Sequence, residues 1–297
     1  MDSYGGHPGN PSRMAASAAP VTKETVQTTA PTRRRIARWR PPVAVAAVVI
    51  GLIGGQAIAL AIMLAQGSSG PSVFDGLGLI LADAFLIGVI VLFARKGANL
   101  SAGTLGIRRT PFWPAVGWAS AFFVASIALV GMWTVLVGGG EEASGGGAEG
   151  GPPPAIVIAL VMFGVMVAAP IAEEIAFRGY LFAALTTWRG PWPAALITGL
   201  LFGAAHVAVY PPEMLPAMAF FGFFACLLFW FTGSLLPCIA VHAFNNALAT
   251  GSLVGWTWQI PLVLIGAVAV SLLIVLPFAR ERAPQISALT TSTKEAT

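Results

Sequence analysis

The sequence predicts an all-α polytopic membrane protein, a bundle of about eight transmembrane helices with both termini in the cytoplasm. Three observations carry that prediction. The 297-residue chain is 57% hydrophobic and only 9% charged, with a mean hydropathy of +0.81, whereas a soluble domain carries about 25% charged residues. Its apolar residues fall in repeated runs of membrane-spanning length, about 20 residues each. Those runs are continuous, without the in/out alternation of a barrel strand, and lipid admits only helices or closed barrels. A water-soluble reading, including the nucleic-acid binder that a pI near 9.5 could suggest, is excluded.

In chain order, residues 1–40 form an expected disordered, basic cytoplasmic tail, rich in Ser, Thr, Pro, Ala and Gly and without apolar periodicity. The basic run Arg33–Arg40 is not a signal-peptide n-region, because the apolar run behind it exceeds an h-region and seven more follow; contact with anionic headgroups is its expected role. The apolar runs are Val43–Gln66, Phe74–Ala94, Phe112–Val137, Ala155–Ala172, Pro193–Val209, Met214–Phe231, Leu235–Leu253 and Ile260–Ala279. Residues 41–280 thus make one membrane domain, and 281–297 a cytoplasmic C-terminal tail. Cys226 and Cys238 lie inside apolar runs and form neither a disulfide nor a zinc framework by spacing. Trp39, Trp113, Trp188, Trp192, Trp256 and Trp258 fall near run ends, as an interfacial aromatic belt requires.

The cations orient the bundle. All 16 Lys and Arg lie before run 1, between runs 2 and 3, after run 4 or after run 8. With eight spans and a cytoplasmic N-terminus, every one falls on the cytoplasmic side, as the positive-inside rule demands. The Gly138–Pro154 loop on the opposite side carries only the acids Glu141, Glu142 and Glu149.

Ionisable groups at membrane depth cost about 2.5–3.5 kcal/mol or more each, which makes them functional candidates. They are Asp83 in run 2; Glu173, Glu174 and Arg178 at the end of run 4; His206 in run 5; and His242, with the amide Asn246, in run 7. Glu174 and Arg178, four apart, share a helix face and can pair. Glu173 points about 100° away from Glu174. Phe202 and His206 are one turn apart, as are His242 and Asn246. Acid, base and hydrogen-bond donors in one region are what hydrolytic chemistry needs. Asp83, in no motif, is expected to make a helix–helix contact or to sit near the aqueous edge. Pro170 and Pro237 are expected to kink their helices.

The stretches AEEIAFRGYLF (Ala172–Phe182), FGAAH (Phe202–His206) and HAFNN (His242–Asn246) resemble the CPBP family of intramembrane endopeptidases. That family includes the type II CAAX prenyl proteases and bacterial bacteriocin-processing and self-immunity proteins. The resemblance implies a protease domain with its motif core at 155–253, in the cell membrane with its active site towards the cytoplasm. It implies that Glu173 is the base activating water, that His206 holds that water, and that His242 and Asn246 donate to the oxyanion. Glu174, Arg178 and Phe202 would support them. The family has been read both as metal-free glutamate proteases and as metalloproteases; in the second reading Glu173, His206 and His242 would hold a divalent ion such as zinc. No cofactor beyond that is implied. The implied partners are the lipid bilayer and a membrane-embedded or membrane-anchored peptide or protein, with no nucleic acid.

Two rival classes remain beside the protease. A proton-coupled transporter would use buried Glu, His and Arg as a relay, and a catalytically silent scaffold or immunity protein would use them as packing groups.

Overall fold

A computed structural model describes residues 1–3, 5, 39–67, 70–97, 99–137 and 153–283. Contacts divide the chain into Met1–Thr32 and Arg33–Thr297. Only residues 1–3 and 5 of the first unit are described, so the architecture that follows is that of the second. Most of the N-terminal tail, the Gly138–Pro154 loop up to Pro152, and the chain after Ala283 lie outside the described residues, and the expectations for them with it.

Among the described residues every regular element is helical. The rods are α1 (Pro41–Gln66), α2 (Val73–Gly97), α3 (Phe112–Leu136), α4 (Ala155–Arg189), α5 (Pro191–Ala205), α6 (Leu215–Thr232), α7 (Leu235–Leu253) and α8 (Gln259–Val275). Six segments are long and apolar enough to cross a membrane: α1, α2, α3, α4, Pro212–Thr232 and Gln259–Phe278. The expectation of eight spans is therefore met by six by length and hydropathy. α5 has only 15 residues, about 22 Å at 1.5 Å per residue against a ~30 Å hydrocarbon layer. In α7 the polar side chains of His242, Asn245 and Asn246 dilute an otherwise apolar rod.

The fourth rod departs most from its expected bounds. The apolar run stops at Ala172, but the helix continues to Arg189, so Glu173 and Glu174 sit mid-rod instead of at its end. Two π-helical stretches, Gly164–Ala168 and Glu174–Phe182, interrupt it. The first has a covalent cause. Pro170 has no N–H and its ring clashes with the preceding turn, and an extra residue per turn accommodates it. Ala169 N–H reaches back five residues to Gly164 O. Neither Ala169 nor Pro170 then serves the carbonyl of Val165.

Packing brings the polar rods together by close approach of small residues, as in membrane bundles generally. α5 lies hard against α6: a Cβ on Gly199 would stand 2.8 Å from Ala219 O, and one on Gly203 2.7 Å from Leu215 O. α1 and α2 form a hairpin, closed at its turn by Asp75, which accepts from Gln66 Nε2 (2.7 Å) and Ser72 N (2.6 Å). At the opposite end, Arg109 N–H donates to Glu281 O (2.8 Å) and Ala283 N–H to Arg109 O (2.7 Å), while Leu235 N–H donates to Gly106 O (2.8 Å). The cation-bearing 99–111 loop thus joins the start of α7 and the chain after α8 at one end of the bundle. Trp113, Trp188, Trp192 and Trp258 are exposed, as a belt requires. Trp39 is not part of that belt: it is buried, donates to Ala94 O at 3.1 Å and packs on Tyr180.

Candidate active site

The two adjacent glutamates of α4 have opposite surroundings. Glu174 is fully buried. Its Oε1 accepts from Arg178 Nη1 at 2.9 Å and from His242 Nδ1 at 2.8 Å, and Arg178 Nη2 also donates to Gly222 O at 3.2 Å. Arg178 is itself 0% exposed, its guanidinium 4.6 Å over the Phe202 ring. One cationic donor, an imidazole N–H and an aromatic face over the guanidinium thus satisfy a charge that would otherwise be costly in an apolar interior.

Glu173 points elsewhere. It lines a cavity of about 240 Å³ with His206, Asn246, Tyr210, Gln56 and Asp83, and its Oε2 has no hydrogen-bond partner among the described residues. His242 stands behind it, Nε2 to Glu173 Oε2 at 3.8 Å, too long for a direct hydrogen bond. The ring is 3% exposed and is not part of the cavity wall. His242 therefore stands between the two glutamates, bonded to Glu174 and 3.8 Å from Glu173.

His206 caps α5, and its Nδ1 lies 2.8 Å from Phe202 O. A carbonyl can only accept, so Nδ1 carries a proton, and in the neutral tautomer Nε2 is the acceptor. The same reasoning holds for His242 against the Glu174 carboxylate. Phe202 is the hub of the arrangement: its ring lies 5.1 Å from Phe177, 4.8 Å from His206 and 5.8 Å from His242. Asn246 Nδ2 donates to Val165 O at 2.9 Å. The carbonyl orphaned by Pro170 is thus capped by the carboxamide, which holds Asn246 at the cavity wall with one N–H still free to donate.

Among the described residues no three of His, Cys, Asp and Glu gather to hold an ion.

Residues 154–248 match a family model, described as type II CAAX prenyl endopeptidase Rce1-like. Over that segment the chain is similar to the Rce1-like family. The segment spans about a third of the chain and contains all three motifs. No curated protein and no solved structure matches the chain. The Rce1-like segment does not supply the whole cavity, because Gln56 of α1 and Asp83 of α2 come from outside it.

Sequence reasoning singled out Asp83 but expected a helix–helix contact or a place near the aqueous edge, and it missed Gln56, Tyr210 and the Val165 carbonyl. The signal for Asp83 was available: a carboxyl at membrane depth with no basic residue within a helical turn or two. Tyr210, on the loop after α5, has its phenol pushed above its ordinary pKa by burial and by the Glu173 charge, so it stays a donor at neutral pH.

Proposed function

We propose that this chain is an intramembrane endopeptidase in which Glu173 activates a water molecule held in the cavity beside His206. One observation carries the reading: the carboxyl of Glu173, with its Oε2 unpartnered, belongs to a residue lining a cavity inside an apolar bundle, beside His206 and Asn246. A water there donates one proton to the Glu173 carboxylate and the other to the Nε2 lone pair of neutral His206, which leaves its own lone pair for a carbonyl carbon. Glu173 takes the proton as the C–O bond forms. The spare N–H of Asn246 donates to the oxyanion, held rigid by its bond to Val165 O; one such donor is worth about 2.7–4 kcal/mol in hydrolases. Glu174, Arg178 and His242 keep the fixed charge behind Glu173 balanced and set its position.

The Rce1-like match supports a membrane-anchored peptide of the CAAX type as substrate. An apolar groove of about 370 Å³ between α1, α4 and α5 shares Leu52, Gln56, Phe177 and Ala205 with the polar cavity, so an apolar portion of substrate has a place next to the reacting bond. The test is cleavage of an internally quenched, farnesylated CAAX peptide by the purified chain in lipid. Glu173→Gln is expected to lose at least about 10²-fold in kcat. A variant that cleaves as well as wild type overturns the mechanism.

A further inference from the structure

We propose that Asp83 is a second catalytic carboxyl, the acid that hands a proton to the leaving amine while Glu173 takes one from water. The proposal rests on the hydrolase reading above. It begins from a contrast within α2. Asp75, in the first turn, is accounted for by Gln66 and Ser72. Asp83, about two turns further into an apolar run, makes no hydrogen bond and no ion pair among the described residues, so no polar helix–helix contact accounts for it. What it does is line the same cavity as Glu173.

That cavity holds two carboxyls and no Lys or Arg in its wall. The guanidinium nearest in sequence, Arg178, is spent on Glu174 and Gly222 O. Two carboxyls lining one cavity inside an apolar bundle repel when both are ionised, which favours one of them keeping its proton. Among the other polar groups on the wall, His206 has its Nδ1–H on Phe202 O, Asn246 and Gln56 are amides, and Tyr210 is a phenol. Asp83 is thus the group whose proton can be given to an amine and regained within one turnover.

The step balances. The water oxygen bonds to the carbonyl carbon, the carbonyl π pair moves to oxygen, and the water proton goes to Glu173. On collapse the C–N bond breaks, and the departing nitrogen takes the proton of the Asp83 carboxyl. The proton on Glu173 returns to Asp83 through cavity water, so one water is consumed and both carboxyls end as they began.

The role has a signature that a packing role lacks, because an amine must be protonated to leave and an alkoxide needs far less help. The test compares two internally quenched, farnesylated CAAX peptides, one with the ordinary scissile amide and one with an ester in its place, cleaved by the lipid-reconstituted full chain. Asp83→Asn should lower kcat on the amide by about 10²-fold with KM unchanged and reduce the ester rate by far less, while Asp83→Glu restores part of the amide rate. Retained ester cleavage in the same preparation shows that the variant is folded. Equal loss on both substrates, or undiminished amide cleavage, overturns the role of Asp83. A wild type that cleaves neither overturns the hydrolase reading, and the role of Asp83 with it.

Discussion

Replacing Arg178 by Met keeps much of the side-chain volume but removes the cation that holds Glu174. Both groups are 0% exposed, their ion pair is 2.9 Å long, and the guanidinium also serves Gly222 O at 3.2 Å. Removing one partner of a buried pair leaves the other charge uncompensated, which costs about 3–5 kcal/mol. At roughly 2–4 °C per kcal/mol for a chain of this order of size, thermal unfolding in detergent should fall by on the order of 10 °C. The same substitution combined with Glu174→Gln removes the stranded charge and still leaves an oxygen to accept from His242 Nδ1. That double variant should recover most of the loss, and a double-mutant cycle gives the coupling directly. An Arg178→Met chain within about 1 kcal/mol of wild type, or a double variant no more stable than the single, would refute the claim that Arg178 acts by neutralising Glu174.

Two further outcomes follow from the backbone. Pro170→Ala supplies an N–H where α4 has none, so Val165 O regains a helical donor and the hold on Asn246 loosens. Peptide cleavage should show kcat falling by about 10-fold at unchanged KM while thermal stability holds or rises; a fall in stability with unchanged kcat contradicts the positioning role. Gly199→Val puts a Cβ where Ala219 O and Phe223 N would each be 2.8 Å away. Forcing α5 off α6 moves Phe202 and His206, with an expected cost of at least about 1–3 kcal/mol and loss of cleavage. An unchanged melting temperature contradicts the close approach.

Much of the architecture was legible because hydropathy is a local property. The six membrane-crossing rods coincide with apolar runs to within a few residues, apart from α4, whose run ends where its site begins. The rods that fall short, α5 and α7, contribute His206, His242 and Asn246. Function and apolar continuity compete for the same positions there, so a pattern that seeks uniform apolar length fails where the site lies. Trp39 was misplaced for a related reason: position near a run end cannot tell an interfacial indole from one folded back against Ala94 O and Tyr180.

The sequence by itself determined that the chain is a helical membrane protein and that three polar motifs, in order, resemble those of the CPBP endopeptidases, because charge, apolar length and motif spacing are all read along one dimension. Which of two neighbouring glutamates is bound and which is open could not be read that way. Tertiary structure decided it: α6 and α7 bring Gly222 and His242 to the Arg178–Glu174 side of α4, while α2 and α5 leave Glu173 facing a cavity. The same packing decided that Asp83, some 90 residues upstream of Glu173 and outside the matched segment, shares that cavity. A side chain's partners across a bundle depend on helix rotation and approach, and those are set by the small residues and the proline of other segments, not by the motif itself.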